Sequence, residues 1–245
     1  MLRSLKEIKG YKLEATDGEI GRCDDFLLDD RSWTVRYMVA DTGKWLPGRR
    51  VLISPIALGE PDWQSSHFPV RLTREQIRTA PDLDEHAPVS RQYEIWYHKH
   101  YGWPYYWSGT EVWAMGVNPG LLFDKQNELG EPGPEPARPH LHAADEVIGY
   151  KVGATDDDFG RVEDFILDDT TWSVRHVVVA THRWLGGKSL LLPMSALKRV
   201  DWDDRTLEVR LSRGMIEEYP EYAPGAPVNR ELEERIYDFT GRPVD

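Results

Sequence analysis

The side chains best equipped for chemistry are carboxylates, and they come in two matching sets. Asp24, Asp25, Asp29 and Asp30 reappear 139 residues later as Glu163, Asp164, Asp168 and Asp169. Carboxylates this close in sequence could bind a divalent cation or carry out general acid–base work. They have a structural use as well. Asp29-Asp30 leads into Arg31-Ser32 as a turn, and Asp25 is placed to pair with Arg36 across neighbouring strands, as Asp164 is with Arg175. Both members of each pair recur, so the expectation is two structural pairs, Asp25–Arg36 and Asp164–Arg175. Asp156-Asp157-Asp158 lacks the spaced ligands and closing glutamate of a calcium loop.

The other reactive residues fall short of a site. His98 and His100 are two apart on an expected helix and point to different faces. His140 and His142 have no cysteine or further histidine at a spacing that completes a four-ligand metal site. Ser54 and Ser195 have no local histidine, and neither a glycine-rich phosphate loop nor a Gly-x-Ser-x-Gly turn occurs. The expectation is therefore no catalytic residue, no metal, no cofactor and no enzyme. The rival expectation is a small-ligand-binding protein or enzyme whose site lies between two barrels.

Aromatic residues form the most unusual cluster: Tyr93, Trp96, Tyr97, Tyr101, Trp103, Tyr105, Tyr106, Trp107 and Trp113. Tyr93, Tyr97 and Tyr101 share one face of a helix. Two roles fit the segment, internal packing against its own barrel or a docking surface, since aromatic rings anchor protein interfaces. The interaction candidates are Trp96, Tyr101, Trp103, Tyr105, Tyr106, Trp107 and Trp113.

The elements that position these residues are written twice. Gly10 to Pro104 aligns without a gap onto Gly149 to Pro243, with 39 of the 95 positions identical. A period this long indicates a duplicated domain rather than an array of small repeats. Within each copy, five or six short runs of alternating apolar residues are separated by turn signals such as Asp17-Gly18, with no long helix between them. That pattern indicates an antiparallel barrel. The apolar phase changes within residues 19–30, which predicts a bulge. A capped turn begins at Thr73, and a helix runs from Arg91 to about His100, with its counterpart from Arg230 to about Phe239. The proline-rich stretch between the copies reads as a semi-extended spacer. The expected domains are 1–107, a linker at 108–141, and 142–245.

Charge narrows the partners. The net charge of −12 is uneven: residues 1–107 carry 15 Lys+Arg against 16 Asp+Glu, and the remainder 15 against 26. So acidic a second half repels phosphate backbones and argues against nucleic acid. The single cysteine, Cys23, excludes a disulfide framework and suits a reducing cytoplasm. No apolar run is long enough for a transmembrane helix.

Gly10-Tyr11, Asp17-Gly18, Gly21, Asp25, Asp29, then Trp33-x-Val35-Arg36-Tyr37 with Trp45 downstream, resemble the PRC-barrel family. That barrel is named for the cytoplasmic domain of the photosynthetic reaction centre H subunit and also occurs in the ribosome maturation factor. The likeness covers about residues 2–75 and 142–214. It implies a mainly β chain with two small antiparallel six-stranded barrels, each followed by short helices, used for protein–protein docking. The transmembrane helix of the H subunit and the preceding domain of the maturation factor have no counterpart here, so neither role transfers. The expected protein is a non-enzymatic cytoplasmic assembly or adaptor protein. Its protein partner could be a second copy or the other repeat.

Overall fold

Glycine and aspartate set the first turns. The computed structural model describes residues 1–83, 87–107, 113, 117–125, 130–134, 136–183 and 186–240. Copy one begins with strand β1 (Leu2–Ser4) and the single turn α1 (Leu5–Ile8), where Ser4 Oγ accepts the Glu7 N–H at 3.1 Å. Strands β2 (Lys12–Ala15), β3 (Gly18–Asp29), β4 (Thr34–Asp41), β5 (Arg50–Ile53) and β6 (His67–Pro69) follow. The helices α2 (Arg74–Arg78) and α3 (Arg91–Tyr101) close the copy. Copy two opens with β7 (Leu141–Ala143) and α4 (Ala144–Val147). It continues through β8 (Lys151–Gly153), β9 (Asp158–Asp168), β10 (Val174–Thr181), β11 (Ser189–Pro193), β12 (Leu197–Asp201) and β13 (Thr206–Val209). It ends with α5 (Arg213–Glu218), β14 (Glu221–Tyr222) and α6 (Arg230–Thr240).

Only two residues, Thr16 and Asp17, separate β2 from β3, because Gly18 takes φ +140 without strain. Copy two has aspartate there and uses four residues between β8 and β9. At Gly21, φ is +130 and an added Cβ would stand 2.9 Å from the Asp41 carbonyl carbon, with its oxygen nearer still. We expect Gly21→Ala to destabilise by more than about 1 kcal/mol, since both conformation and space forbid a side chain. A denaturation midpoint equal to that of the wild type would remove this account of the glycine.

The compact units do not follow the expected domain boundaries. One comprises residues 8–143 with 170–173, the copy-one unit. The other comprises 1–7, 144–169 and 174–245, the copy-two unit. The copies have exchanged their first strands: β1 of copy one pairs with β9, and β7 of copy two pairs with β3. The registers Leu2↔Asp168 and Leu141↔Asp29 are the same pairing displaced by 139 residues. The two strands therefore fill equivalent slots.

The sheets also correct the expectation of closed antiparallel six-stranded barrels. The copy-one sheet has six strands in the order β5-β4-β3-β2-β6, with β7 also on β3. The copy-two sheet has eight, in the order β12-β13-β8-β9-β10-β11-β14, with β1 on β9. Each path is open at its ends, and each contains a parallel pair, β2 with β6 and β8 with β13. After β5 the chain turns into a 3-10 turn at Pro55–Ala57, because Pro55 offers no N–H and Ser54 Oγ caps the turn. Beyond it the isolated bridge Leu58↔Val70 and the parallel pairing of β6 with β2 continue the copy-one sheet.

Bulges set the faces. On β3 one extra residue, Asp24, lies between Cys23 and Asp25 against adjacent Ala40 and Val39, and on β4 one extra residue, Arg36, lies between Val35 and Tyr37 against adjacent Leu28 and Leu27. The second bulge makes Arg36 the extra residue and turns it from the ladder. The interior of the copy-one unit is filled by Leu13, Ile20, Phe26, Val35, Met38, Ile53 and Phe68. That of the copy-two unit is filled by Val152, Phe159, Phe165, Val177, Val179, Leu190 and Leu207. Among the described residues no helix is long and apolar enough to cross a membrane. Parts of the expected spacer (108–112, 114–116, 126–129 and 135) and the terminal Gly241 and Pro243 lie outside the described residues.

Candidate functional site

Helix α3 begins where Ser90 Oγ accepts the Tyr93 N–H at 3.1 Å and ends at Gly102, left-handed at φ 74. Its inward residues, Arg91, Glu94, Tyr97, His98 and Tyr101, fall at spacings of three and four, one helical face. Tyr97 finishes the edge of β5: its hydroxyl donates to Leu52 O at 3.1 Å and accepts from the Ser54 N–H at 3.0 Å. In copy two the position of Tyr97 is Ile236, and the carbonyl equivalent to that of Leu52 is served instead by Tyr219, whose hydroxyl donates to Leu191 O at 3.3 Å. The same backbone need is met by a tyrosine from a different place, the residue that follows α5.

Beneath α3 lies a sealed polar network. Glu94 is fully buried, and its Oε1 accepts from the hydroxyls of Tyr106 at 2.5 Å and Tyr37 at 3.2 Å. Its Oε2 stands 3.0 Å from Arg91 Nη1 and 3.1 Å from His140 Nε2. His98 donates through Nδ1 to Pro104 O at 2.9 Å, which leaves Nε2 as an acceptor 3.2 Å from the Tyr37 hydroxyl, whose single proton serves either this nitrogen or Glu94 Oε1. Burial drives the His98 ring well below its ordinary value, to about 4, against the opposing charge of Glu94. Burial likewise pushes the phenols of Tyr37, Tyr97 and Tyr106 far up, so they act as donors. The members face one another, and all are buried.

Arg36 adjoins this network and corrects one expectation. Its Nε and Nη2 donate to Asp29 Oδ2 at 3.0 and 2.9 Å, its Nη2 also to Ser32 Oγ at 3.0 Å, and its Nη1 to Trp113 O at 2.9 Å. The guanidinium carbon lies 4.0 Å from the Tyr106 ring centroid and 5.1 Å from that of Trp113. The partner is thus Asp29, not Asp25. Asp25 pairs in register with Val39, three residues along β4, about 10 Å at the strand rise, whereas the bulge brings Arg36 to the end where Asp29 sits. Asp25 Oδ1 accepts the Phe26 N–H at 2.8 Å. Asp164 accepts from Ser4 Oγ and from the backbone N–H groups of Lys6 at 3.2 Å and Phe165 at 2.7 Å. Burial raises the Asp164 carboxyl above its usual range despite these bonds. It lines a cavity of about 290 Å³ with Ser4, Lys6 and Tyr222 in the copy-two unit. Arg175, like Arg36, is the extra residue of a bulge, between Val174 and His176, and it is only half-buried.

Comparison with known families bears on the copy-two segment. Residues 139–216 match the PRC-barrel domain. The PRC-barrel match runs from just before β7 into α5, so the contiguous family segment includes a strand that lies in the other copy's sheet. Copy one resembles the matched segment through the identical positions described above. Among curated proteins nothing matches the chain.

The structure places the seven aromatic candidates in two classes, all in the copy-one unit. Tyr101, Trp103, Tyr105, Tyr106 and Trp113 are buried, and Trp107 is half-buried with its indole N–H donating to Pro132 O at 2.7 Å. Their rings form two groups: Tyr101 stacks on Trp103 at 4.5 Å, and Trp107 is stacked on Tyr105 at 4.8 Å with Tyr106 edge-on to it at 4.7 Å. Trp96 alone is turned outward, 57% exposed, beside half-buried Ile95 and exposed Gln92 and Lys99. Sequence alone raises His98 and His140 only as possible metal ligands and gives Arg91 and Glu94 no role in a site. One signal for the latter two was available: Arg91 and Glu94 recur as Arg230 and Glu233 in a helix whose other inward residues changed.

Proposed function

We propose that the chain is a non-enzymatic assembly or adaptor protein of the cytoplasm, built from tandem PRC-barrel copies that dock a protein partner. The observation that carries this reading is Trp96. A tryptophan 57% exposed on an ordered helix leaves a large apolar area in water, and such residues are the usual anchors of protein interfaces. The buried rings behind α3 support it by making the helix a rigid platform, which lowers the entropy lost on docking. The PRC-barrel match supports it too, because that domain is generally an interaction module.

A photo-reactive phenylalanine analogue at position 96 should give a discrete cross-linked adduct in native lysate. An adduct of twice the chain mass would identify a second copy as the partner. With the purified partner, Trp96→Ala should weaken binding by about 2 kcal/mol. The reading fails if position 96 gives no adduct in a folded chain, or if Trp96→Ala binds as tightly as the wild type.

A further inference from the structure

The two copies differ in how they neutralise one arginine. In copy two, Arg213 opens α5; its Nε donates to Glu217 Oε1 at 3.0 Å, and its Nη1 stands 3.8 Å from Asp157 Oδ2. Arg74 holds the same place in copy one. Its backbone N–H is fixed by Asp17 Oδ1 at 2.7 Å, as that of Arg213 is by Asp156 Oδ1 at 2.9 Å. Both carboxylates, however, are gone. Gly18 stands where copy two has Asp157, and Arg78 where it has Glu217. Arg78 is itself engaged with Glu75, at 2.6 and 2.8 Å.

Arg74 consequently lies over the Trp45 ring, its guanidinium carbon 5.0 Å from the centroid. Its side chain crosses the open space above Gly18, where an added Cβ would find Arg74 Cδ and Nη1 at 3.5 Å. Its Nε is buried and has no hydrogen-bond acceptor among the described residues. The cavity beside it measures about 500 Å³ and is lined by Arg22, Lys44, Arg74, Thr42 and Trp45, with Glu19 and Asp41 as the opposing charges. Asp41 is partly occupied, since its Oδ1 accepts the Gly43 N–H at 2.9 Å. Three cations face two carboxylates, and the strongest donor is an arginine stacked on an indole. A planar guanidinium held this way presents paired N–H groups to a carboxylate or phosphate. Partial removal from water strengthens that contact.

We propose that the copy-one unit binds an oxyanion, a phosphate or carboxylate group of a ligand, in this cavity. Arg74 is the principal contact, with Lys44 and Arg22 supplying further positive charge and Trp45 the wall. Copy two has the same cationic positions in Arg161, Arg183 and Arg213, but its carboxylates already occupy Arg213. One site per chain follows.

The test uses the full chain labelled with ¹⁵N and follows the Arg74 Nε–H and Trp45 indole resonances, assigned with Arg74→Gln and Trp45→Phe. Inorganic phosphate and citrate are titrated separately, against chloride at equal ionic strength. Either oxyanion should shift both resonances saturably, with at least tenfold preference over chloride. A response to phosphate alone identifies a phosphate ligand, to citrate alone a carboxylate ligand, and each supports the site. Arg78→Glu, which restores the carboxylate of copy two without removing a lining cation, should weaken binding tenfold or more and leave the melting temperature nearly unchanged. The proposal is overturned if neither oxyanion exceeds chloride, or if Arg78→Glu binds as the wild type does.

Discussion

Replacing Arg36 by leucine is expected to destabilise the copy-one unit by about 3–5 kcal/mol, while the same change at Arg175 costs about 1 kcal/mol or less. Both arginines are the extra residue of the same bulge, so local geometry does not separate them. Their surroundings do. Arg36 is 3% exposed beneath Tyr106 and Trp113, and its removal leaves Asp29, the Ser32 hydroxyl and the Trp113 carbonyl short of a buried donor. Arg175 is half-buried, and water can take over for whatever it loses. Urea denaturation of the two variants measures the difference, and equal losses would refute the role given to the aromatic cover.

The Asp29–Arg36 pair also has a pH signature. Burial pushes the Asp29 carboxyl up, but the charge of Arg36, the Arg31 N–H and the Arg36 hydrogen bonds together hold it below the ordinary 3.8. A carboxyl depressed by folding stabilises above its unfolded value, and this contribution is lost as pH falls through the folded one. The wild-type pair therefore fails only below about pH 4. In Arg36→Leu the uncompensated burial should raise the Asp29 carboxyl above its unfolded value, so the group costs stability at neutral pH and the cost shrinks on acidification.

Acidification from about pH 6.5 to 4 should destabilise both units through two buried histidines. Burial lowers the rings of His98 and His176 from 6.5 to about 4, and Arg175 adds to the effect at His176. In this window the unfolded chain binds the proton and the folded chain does not, so stability falls as pH falls. Each histidine gives its unit a slope of about 1.4 kcal/mol per pH unit and a total near 3 kcal/mol. The two differ in partners. His98 is bonded at both nitrogens, whereas neither nitrogen of His176 has a hydrogen-bond partner among the described residues. His176→Phe should thus remove the slope from the copy-two unit at little cost at pH 7.5, while His98→Phe should cost stability at every pH. Melting temperatures between pH 7.5 and 4.5 decide this. A flat profile for the wild type would mean that the histidines are not buried neutral.

Much of the local structure was settled by sequence alone, because it depends on neighbours along the chain. Asp17-Gly18 specifies a tight turn, Thr73 and Gln76 form a capping box, and the phase change after Cys23 marks a bulge. The duplication likewise followed from identical residues at one offset. Tertiary structure decided what depends on distant residues. Leu2–Ser4 and Leu141–Ala143 suit the same slot equally well, so no local pattern could say that each lies beside the other copy's strand. Arg36 could be matched to an acidic neighbour by recurrence, but a one-residue bulge selected Asp29 over Asp25. The aromatic run was visible as a cluster. Only the placement of Glu94, His98 and His140 beneath it turned five of its seven candidate rings into core and left Trp96 facing out. A helix presents faces, and the body of the fold determines which of them meets water.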